Sequence, residues 1–181
     1  DTARGVLELR RHCLGLRTLD LFRRDTQGGW DSLVATDTVD ISGFLQSVSG
    51  NAGRYCRLCF DAEADKLYLI AAPEGSTIAA GGSIRVREYD RKTLAARDYT
   101  VPNNTGGALR AAVSEAKSTP LNGTVYGGSL YMTAPSTYQI YRFPLADPTD
   151  VQAVTMHGDT LQYLSDAHDG RLYCYYRTRG V

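Results

Sequence analysis

The sequence predicts an all-β fold of short antiparallel strands, and three observations lead to that expectation. Hydrophobic residues occur mostly in short runs separated by Gly, Asp, Asn and Pro, which is typical of strands joined by tight turns. Helical periodicity is nearly absent, and 18 of the 181 residues are Gly. The order of strands and turns also recurs along the chain, as it does in repeat architectures.

The charge of the chain argues against two classes of partner. It carries 20 basic and 20 acidic residues, so its formal net charge is zero. Nucleic acids and anionic membranes attract proteins through an excess of positive charge. We therefore expect no nucleic acid and no membrane as partner. Neither the charge nor the four cysteines assign a cellular compartment, so the localisation stays unknown.

Residues 5–48 form the first repeat unit that we expect. A strand pattern at 19–25 is followed by a glycine-containing turn at 26–29 and a second strand pattern at 30–34. Residues 5–11 offer a spare strand before them. This unit therefore resembles the closing half of the units that follow.

Residues 54–101 form the second unit, in which the pattern of strands and turns is clearest. We expect four antiparallel strands, at 54–60, 66–71, 84–90 and 94–101. The acidic segment Asp61–Asp65 is interpreted as the hairpin turn between the first two strands.

Cys56 and Cys59 form a C-x-x-C pattern, which in other proteins is a redox pair or half of a zinc site. Here the pattern lies within an expected strand. Residues three apart on a strand point to opposite faces, so the two thiols diverge. We expect buried thiols, no metal site and no cofactor.

Residues 102–122 form a connection with a possible short helix at 107–117, where Ala is frequent. Asn103 and Asn122 flank this connection, and each begins an N-x-T pattern that is glycosylated only in a secreted eukaryotic chain. The sequence leaves open whether either asparagine carries a glycan.

The third and fourth units are expected at residues 123–156 and 160–181. The third has strand patterns at 129–132, 138–143 and 151–154, and the fourth has them at 160–164 and 169–176. Asp166–Gly170 is rich in oxygen ligands, but it lacks the glutamate of an EF-hand calcium loop and lies where a hairpin turn is needed. We therefore interpret it as a turn.

A Leu-Tyr pair marks the same position in three units, at Leu67-Tyr68, Leu130-Tyr131 and Leu172-Tyr173. Residues 66–70 and 86–93, together with the closing half at 21–30, resemble the kelch type of β-propeller repeat. The diglycine of kelch repeats is replaced by Ala71-Ala72-Pro73 in the second unit. The resemblance therefore implies a generic propeller blade.

The expected architecture is one all-β, propeller-like domain, or a fragment of a propeller, over residues 1–181 with about three to four four-stranded blades. A β-sandwich is the alternative. Inner strands that are apolar on both faces favour blades, because neighbouring blades pack face to face. Since propellers close with about four to eight blades, we expect this chain to be part of a larger chain or assembly.

The sequence contains no motif that names a reaction, which favours a non-catalytic interaction module that binds a protein partner through propeller loops. The alternatives are a structural subunit of a virion tail or other multimeric assembly and, less favoured, a propeller hydrolase or a glycan-binding domain. Tyr and Arg are enriched in binding hot spots. The candidate binding residues are therefore Tyr138, Tyr141, Arg142, Tyr175, Tyr176 and Arg177, for which packing between blades is the alternative role.

Overall fold

The computed structural model describes most of the strand-forming segments of the chain. The described residues are 5–8, 11–12, 15–16, 18–24, 33–46, 55–72, 82–102, 123–134, 139–155, 160–164 and 169–177. They are almost entirely antiparallel β-strand, so the predicted all-β class is confirmed. The chain divides into two compact units, unit 1 (residues 1–47) and unit 2 (residues 48–181). The predicted single domain and its blade boundaries stay a prediction.

The part of unit 1 that the structure describes forms a three-stranded sheet, a small hairpin and one short helix. Its elements are β1 (Gly5–Glu8), β2 (Arg11–His12), β3 (Gly15–Leu16), β4 (Thr18–Arg24), β5 (Leu33–Asp40) and α1 (Ser42–Gln46). Strand β4 is central and pairs antiparallel with β1 on one edge and β5 on the other, while β2 pairs with β3. The spare strand expected near the start of the chain is thus used within this unit.

Helix α1 was not predicted, because one turn of helix is too short to show a hydrophobic period. Its start is fixed by Asp40, whose carboxylate Oδ1 accepts a hydrogen bond from the Ser42 N–H at 2.8 Å. This bond satisfies one of the amides that a helix leaves free at its N-terminus. No helix among the described residues has the length and apolar character needed to cross a membrane.

The described residues of unit 2 form two four-stranded antiparallel sheets and one two-stranded sheet. Sheet I has β6 (Tyr55–Asp61), β7 (Lys66–Ala72), β8 (Ile84–Asp90) and β9 (Ala96–Val101), paired in sequence order. Sheet II has β10 (Gly123–Tyr126), β11 (Ser129–Ala134), β12 (Gln139–Pro144) and β13 (Gln152–Thr155), also in sequence order. Sheet III has β14 (Thr160–Leu164) and β15 (Cys174–Arg177).

The burial of the strands follows their position in the sheets. Every residue of β7 from Leu67 to Ala72 is buried, so this strand is covered on both faces. By contrast, the outer strand β9 is mostly exposed and all four residues of β13 are exposed. Continuous apolar sequence therefore occurs in an inner strand, and polar or mixed sequence in outer strands.

Sheets I and II pack face to face around one hydrophobic cluster. Alternate residues of β7, including Tyr68 and Ile70, meet Leu130 and Met132 of β11 in this cluster. Strand β6 lies beside β10, where the Cys59 thiol donates to the Gly123 carbonyl oxygen at 3.9 Å. A Cβ atom at Gly123 would lie 2.9 Å from the Tyr131 carbonyl oxygen, so the close approach needs glycine at this position.

Sheet III packs on the opposite face of sheet II. Ile140 of β12 and Leu164 of β14 form a second buried cluster, with Tyr131 packed against it. Arg57 also reaches from sheet I and donates from Nη2 to the Leu164 carbonyl oxygen at 3.0 Å. Sheet II is therefore covered on both faces, and among the described strands no sheet closes into a barrel.

Several predicted features lie outside the described residues. They are the short helix at 107–117, the two N-x-T asparagines Asn103 and Asn122, and the N-terminal part of the Asp166–Gly170 turn.

Candidate functional site

The six candidate binding residues fall on sheets II and III or beside them. Tyr138 lies just before β12, outside the described residues. Tyr175, Tyr176 and Arg177 form the end of β15, of which the backbone is described. Only Tyr141 and Arg142 have described side chains, and as consecutive residues of one strand they face opposite sides of sheet II.

Tyr141 and Arg142 both have partners within sheet II. The ring of Tyr141 packs against the cluster between sheets I and II, and its hydroxyl donates to Gln139 Oε1 at 2.5 Å. Arg142 donates from Nε to Ser129 Oγ and from Nη1 to Gln152 Oε1, each at 3.0 Å. These bonds join β12 to both of its neighbouring strands.

A cluster of polar groups that the sequence did not predict joins one turn from each sheet. We call it the turn cluster, and it comprises Asp61, Glu63, Tyr126, Gly127 and Gly170. Asp61 is 1% exposed. Its Oδ1 accepts hydrogen bonds from the backbone N–H groups of Glu63 and Ala64, both at 3.1 Å, which close the β6–β7 turn.

The second carboxylate oxygen of Asp61 forms a hydrogen bond with a residue of another sheet. Oδ2 accepts a hydrogen bond from the backbone N–H of Gly127 at 2.9 Å. Gly127 lies in the β10–β11 turn, so this one carboxylate joins the first hairpin turns of sheets I and II.

Glu63 extends the connection to sheet III. Its Oε2 accepts a hydrogen bond from the Tyr126 hydroxyl at 2.6 Å, and its Oε1 accepts one from the Gly170 backbone N–H at 2.8 Å. Gly170 precedes β15 in the β14–β15 connection. The exposed Glu63 side chain is therefore held between two other turns by bonds to both of its oxygens.

The turns of this cluster require residues that tolerate positive φ. Gly127 and Gly128 have φ of +53° and +68°, and they form the two-residue turn between Tyr126 and Ser129. Consecutive residues with positive φ are characteristic of the type I′ hairpin turn, in which glycine is favoured. Asp169 and Gly170 also have positive φ, of +51° and +69°.

The electrostatic effect of the cluster is clearest at Tyr126. Its hydrogen bond to Glu63, with smaller effects of burial and of the nearby carboxylate charges, raises the pKa of Tyr126 to about 12. The shift extends the pH range over which the phenol stays protonated and donates this hydrogen bond well above neutral pH. Within the described residues no three His, Cys, Asp or Glu side chains are grouped so as to hold a metal ion. The carboxylates of the cluster act as hydrogen-bond acceptors.

Charged side chains of β7, β8 and β9 form a row of pairs across sheet I. Arg87 donates to both carboxylate oxygens of Asp98, at 2.6 and 2.8 Å. The same pairing raises the pKa of the Arg87 guanidinium. Next to it Glu88 accepts from the Tyr99 hydroxyl at 3.0 Å and lies 3.3 Å from Lys66 Nζ. These side chains hold β7, β8 and β9 together.

The cysteines lie as the strand interpretation requires. Cys56 and Cys59 are both on β6; Cys59 is buried and Cys56 is half-buried. Cys174 of β15 is a free thiol, and burial raises its pKa.

Sequence reasoning placed a turn at Asp61–Asp65 but missed the role of its carboxylates. Their partners lie 66 and 107 residues away, and no local pattern reports contacts at that distance. No protein-family model matches the chain, and comparison with curated proteins finds no match. Function is therefore inferred from the geometry.

Proposed function

We propose that sheets I, II and III are consecutive blades of a propeller-like array, and that the protein is a non-catalytic module that binds a protein partner through loops at one end of these blades. The observation that carries the proposal is the turn cluster, in which the first hairpin turns of three successive sheets meet at one end. In a propeller the blades stack face to face around an axis, and their innermost hairpins lie nearest that axis.

The packing of the sheets supports the same arrangement. Strands β6 and β10 are the first strands of their sheets, and they lie side by side. The outer strands β9 and β13 are exposed, as the outer strands of blades are. Sheet II has one face on sheet I and the other on sheet III, which is the packing of an internal blade.

The two ends of the stacked sheets differ in what they offer a partner. At the turn cluster the β6–β7 and β10–β11 turns have only four and two residues, and the carboxylates of Asp61 and Glu63 are already bonded to backbone amides of the neighbouring turns. The opposite end carries the β7–β8 connection (73–83) and the β11–β12 connection (135–138). Binding residues are found preferentially on loops that a rigid scaffold holds in place. We therefore assign the binding surface to this opposite end.

The candidate residues divide between scaffold and surface in this proposal. Tyr138 belongs to the β11–β12 connection and Arg177 ends β15, so both belong to the opposite end by topology. Tyr141 and Arg142 have hydrogen-bond partners within sheet II, and we assign them a role in holding the strands of this sheet together. Tyr138, Tyr175, Tyr176 and Arg177 supply the side-chain types that dominate binding energy in protein interfaces.

Site-specific photo-crosslinking tests this assignment. A photoreactive phenylalanine derivative replaces Tyr138 in one variant and the exposed Ala146 of the β12–β13 turn in the control. In the cells that make the protein, we expect a discrete crosslinked protein adduct with the Tyr138 variant and none with the Ala146 variant. Equal adducts at both ends, or none at Tyr138, would contradict the proposed binding surface.

A further inference from the structure

We propose that the free edge of β13 is a strand-addition site at which a second copy of the chain binds, edge to edge and antiparallel, about a two-fold axis. This surface is the outer edge of sheet II and is separate from the loops to which partner binding is assigned. The proposal therefore does not depend on the proposed function.

Strand β13 has the properties of an open edge. It pairs with β12 on one side, and no described strand pairs with its other side. All four of its residues are exposed, and Val154 is 62% exposed. An outer strand presents unpaired N–H and C=O groups, which are a template for another strand.

The equivalent strand of sheet I, β9, differs from β13 because it carries charged residues. Strand β9 carries two exposed charged residues; Arg97 lies over the Tyr99 ring at 5.0 Å, and Asp98 is bound by Arg87 of β8. Charged side chains on an edge strand discourage the addition of another strand. The sequence of β13, Gln-Ala-Val-Thr, has no charge and no proline.

The symmetry of an antiparallel pair favours a second copy as the occupant. On the free edge of a strand only alternate residues direct their N–H and C=O groups outward. A two-fold pair of β13 strands is therefore centred on either Ala153 or Val154. In both registers only uncharged side chains lie opposite each other, and Val154 is covered by Gln152 or Val154 of the other copy.

The charges that flank β13 also favour the antiparallel arrangement. The exposed Asp147 and Asp150 lie in the turn before the strand. An antiparallel pair places the two copies of this turn at opposite ends of the interface, whereas a parallel pair would bring the acidic turns together. The two-fold arrangement thus avoids like-charge repulsion.

The expected association is weak. Four residues from each copy bury far less than the roughly 1,200 Å² at the lower limit of stable interfaces. We therefore expect a dimer that forms reversibly as concentration rises toward about 1 mM, a range in which millimolar affinities become visible.

Sedimentation equilibrium on the full chain tests the proposal. We expect the weight-average mass to rise from the monomer value of 19.8 kDa toward twice that value as concentration increases. The double variant Ala153→Lys/Val154→Lys places two lysines opposite each other at the centre of either register, so it should remain monomeric. The matched control Ala95→Lys/Ala96→Lys adds the same charges at the exposed start of β9 and should associate like the parent chain.

Hydrogen exchange supplies a second readout that does not depend on any variant. In the parent chain, outward-pointing amides of β13 should exchange more slowly at high than at low concentration, while those of β9 should not change. Circular dichroism checks that both lysine variants keep the β-sheet spectrum of the parent.

Three outcomes would overturn the proposal. The parent chain could stay monomeric over the whole concentration range. The β13 variant could associate as the parent does, which would place the contact elsewhere. The β9 control could lose association to the same extent, which would attribute the effect to added charge rather than to the β13 edge.

Discussion

Single aspartates close turns in both four-stranded sheets by the same local device. Asp90 Oδ1 accepts from the backbone N–H groups of Lys92 and Thr93 at 3.0 and 2.9 Å, and Asp147 Oδ1 accepts from that of Thr149 at 3.2 Å. Asp61 does the same in its own turn. It differs in being buried and in using its second oxygen to hold Gly127 of the next sheet.

This difference predicts unequal costs for the same substitution at two of these residues. Asp61→Ala removes the acceptor for three backbone N–H groups and should lower the free energy of unfolding by about 2 kcal/mol. Asp147→Ala removes only local bonds of an exposed turn and should have a clearly smaller effect. Chemical denaturation followed by circular dichroism measures both, and equal losses would mean that the bond to Gly127 contributes nothing.

The strands and turns could be located from the sequence where they are marked by residues that are close together in the chain. The four strands expected at 54–101 are present in the expected antiparallel order, because their hydrophobic runs and turn residues are continuous in the chain. Helix α1 and the β2–β3 hairpin could not be located, since α1 has five residues and β2 and β3 have two each, too few for a hydrophobic period to repeat.

The diglycine turn of sheet II gives a prediction at the scale of one element. A Cβ atom at Gly128 would have open space around it, so the only cost of a side chain there is its φ of +68°. Gly128→Ala should therefore destabilise unit 2 by about 1 kcal/mol. Gly128→Asn should cost less, because asparagine tolerates the left-handed region better. Thermal unfolding of the two variants measures the difference, and equal midpoints would contradict a cost set by φ.

For the molecule as a whole, the turn aspartates make stability depend on acid pH. Hydrogen bonds from the backbone and hydroxyl of Thr93 and the backbone of Lys92 lower the pKa of Asp90 from its ordinary value of 3.8 to about 2. Hydrogen bonds from Thr149 lower the pKa of Asp147 in the same direction. A carboxyl whose pKa is lower in the folded state stabilises that state above its ordinary pKa. This contribution is lost as the pH falls through the folded pKa.

We therefore expect the unfolding midpoint to change little above about pH 5 and to fall between about pH 4 and pH 2. Asp90→Asn removes one of the responsible carboxyls, so its midpoint should fall less steeply over the same interval. Thermal scans at a series of pH values measure this slope. A variant slope as steep as that of the parent would show that Asp90 has no part in the acid response.

At the same scale, the repeated pattern was enough to predict a set of small antiparallel sheets, but not the contacts that join them. The turn cluster depends on Glu63 and Tyr126, which look like ordinary turn and strand-end residues in the sequence. The contrast between the charged β9 and the neutral β13 is visible in the sequence, yet it has meaning only once both are known to be outer strands. Tertiary neighbours, rather than local propensity, decide both features.

The sequential strand order of sheets I and II has a consequence for how the protein is made. Every strand in them pairs with its neighbour along the chain, so each sheet can form as soon as its own segment has left the ribosome. The bond between Glu63 and Gly170 is different, since it spans 107 residues and can form only after Gly170 has been synthesised. Folding would thus proceed from one sheet to the next, and the turn cluster would be completed after sheets I and II have formed.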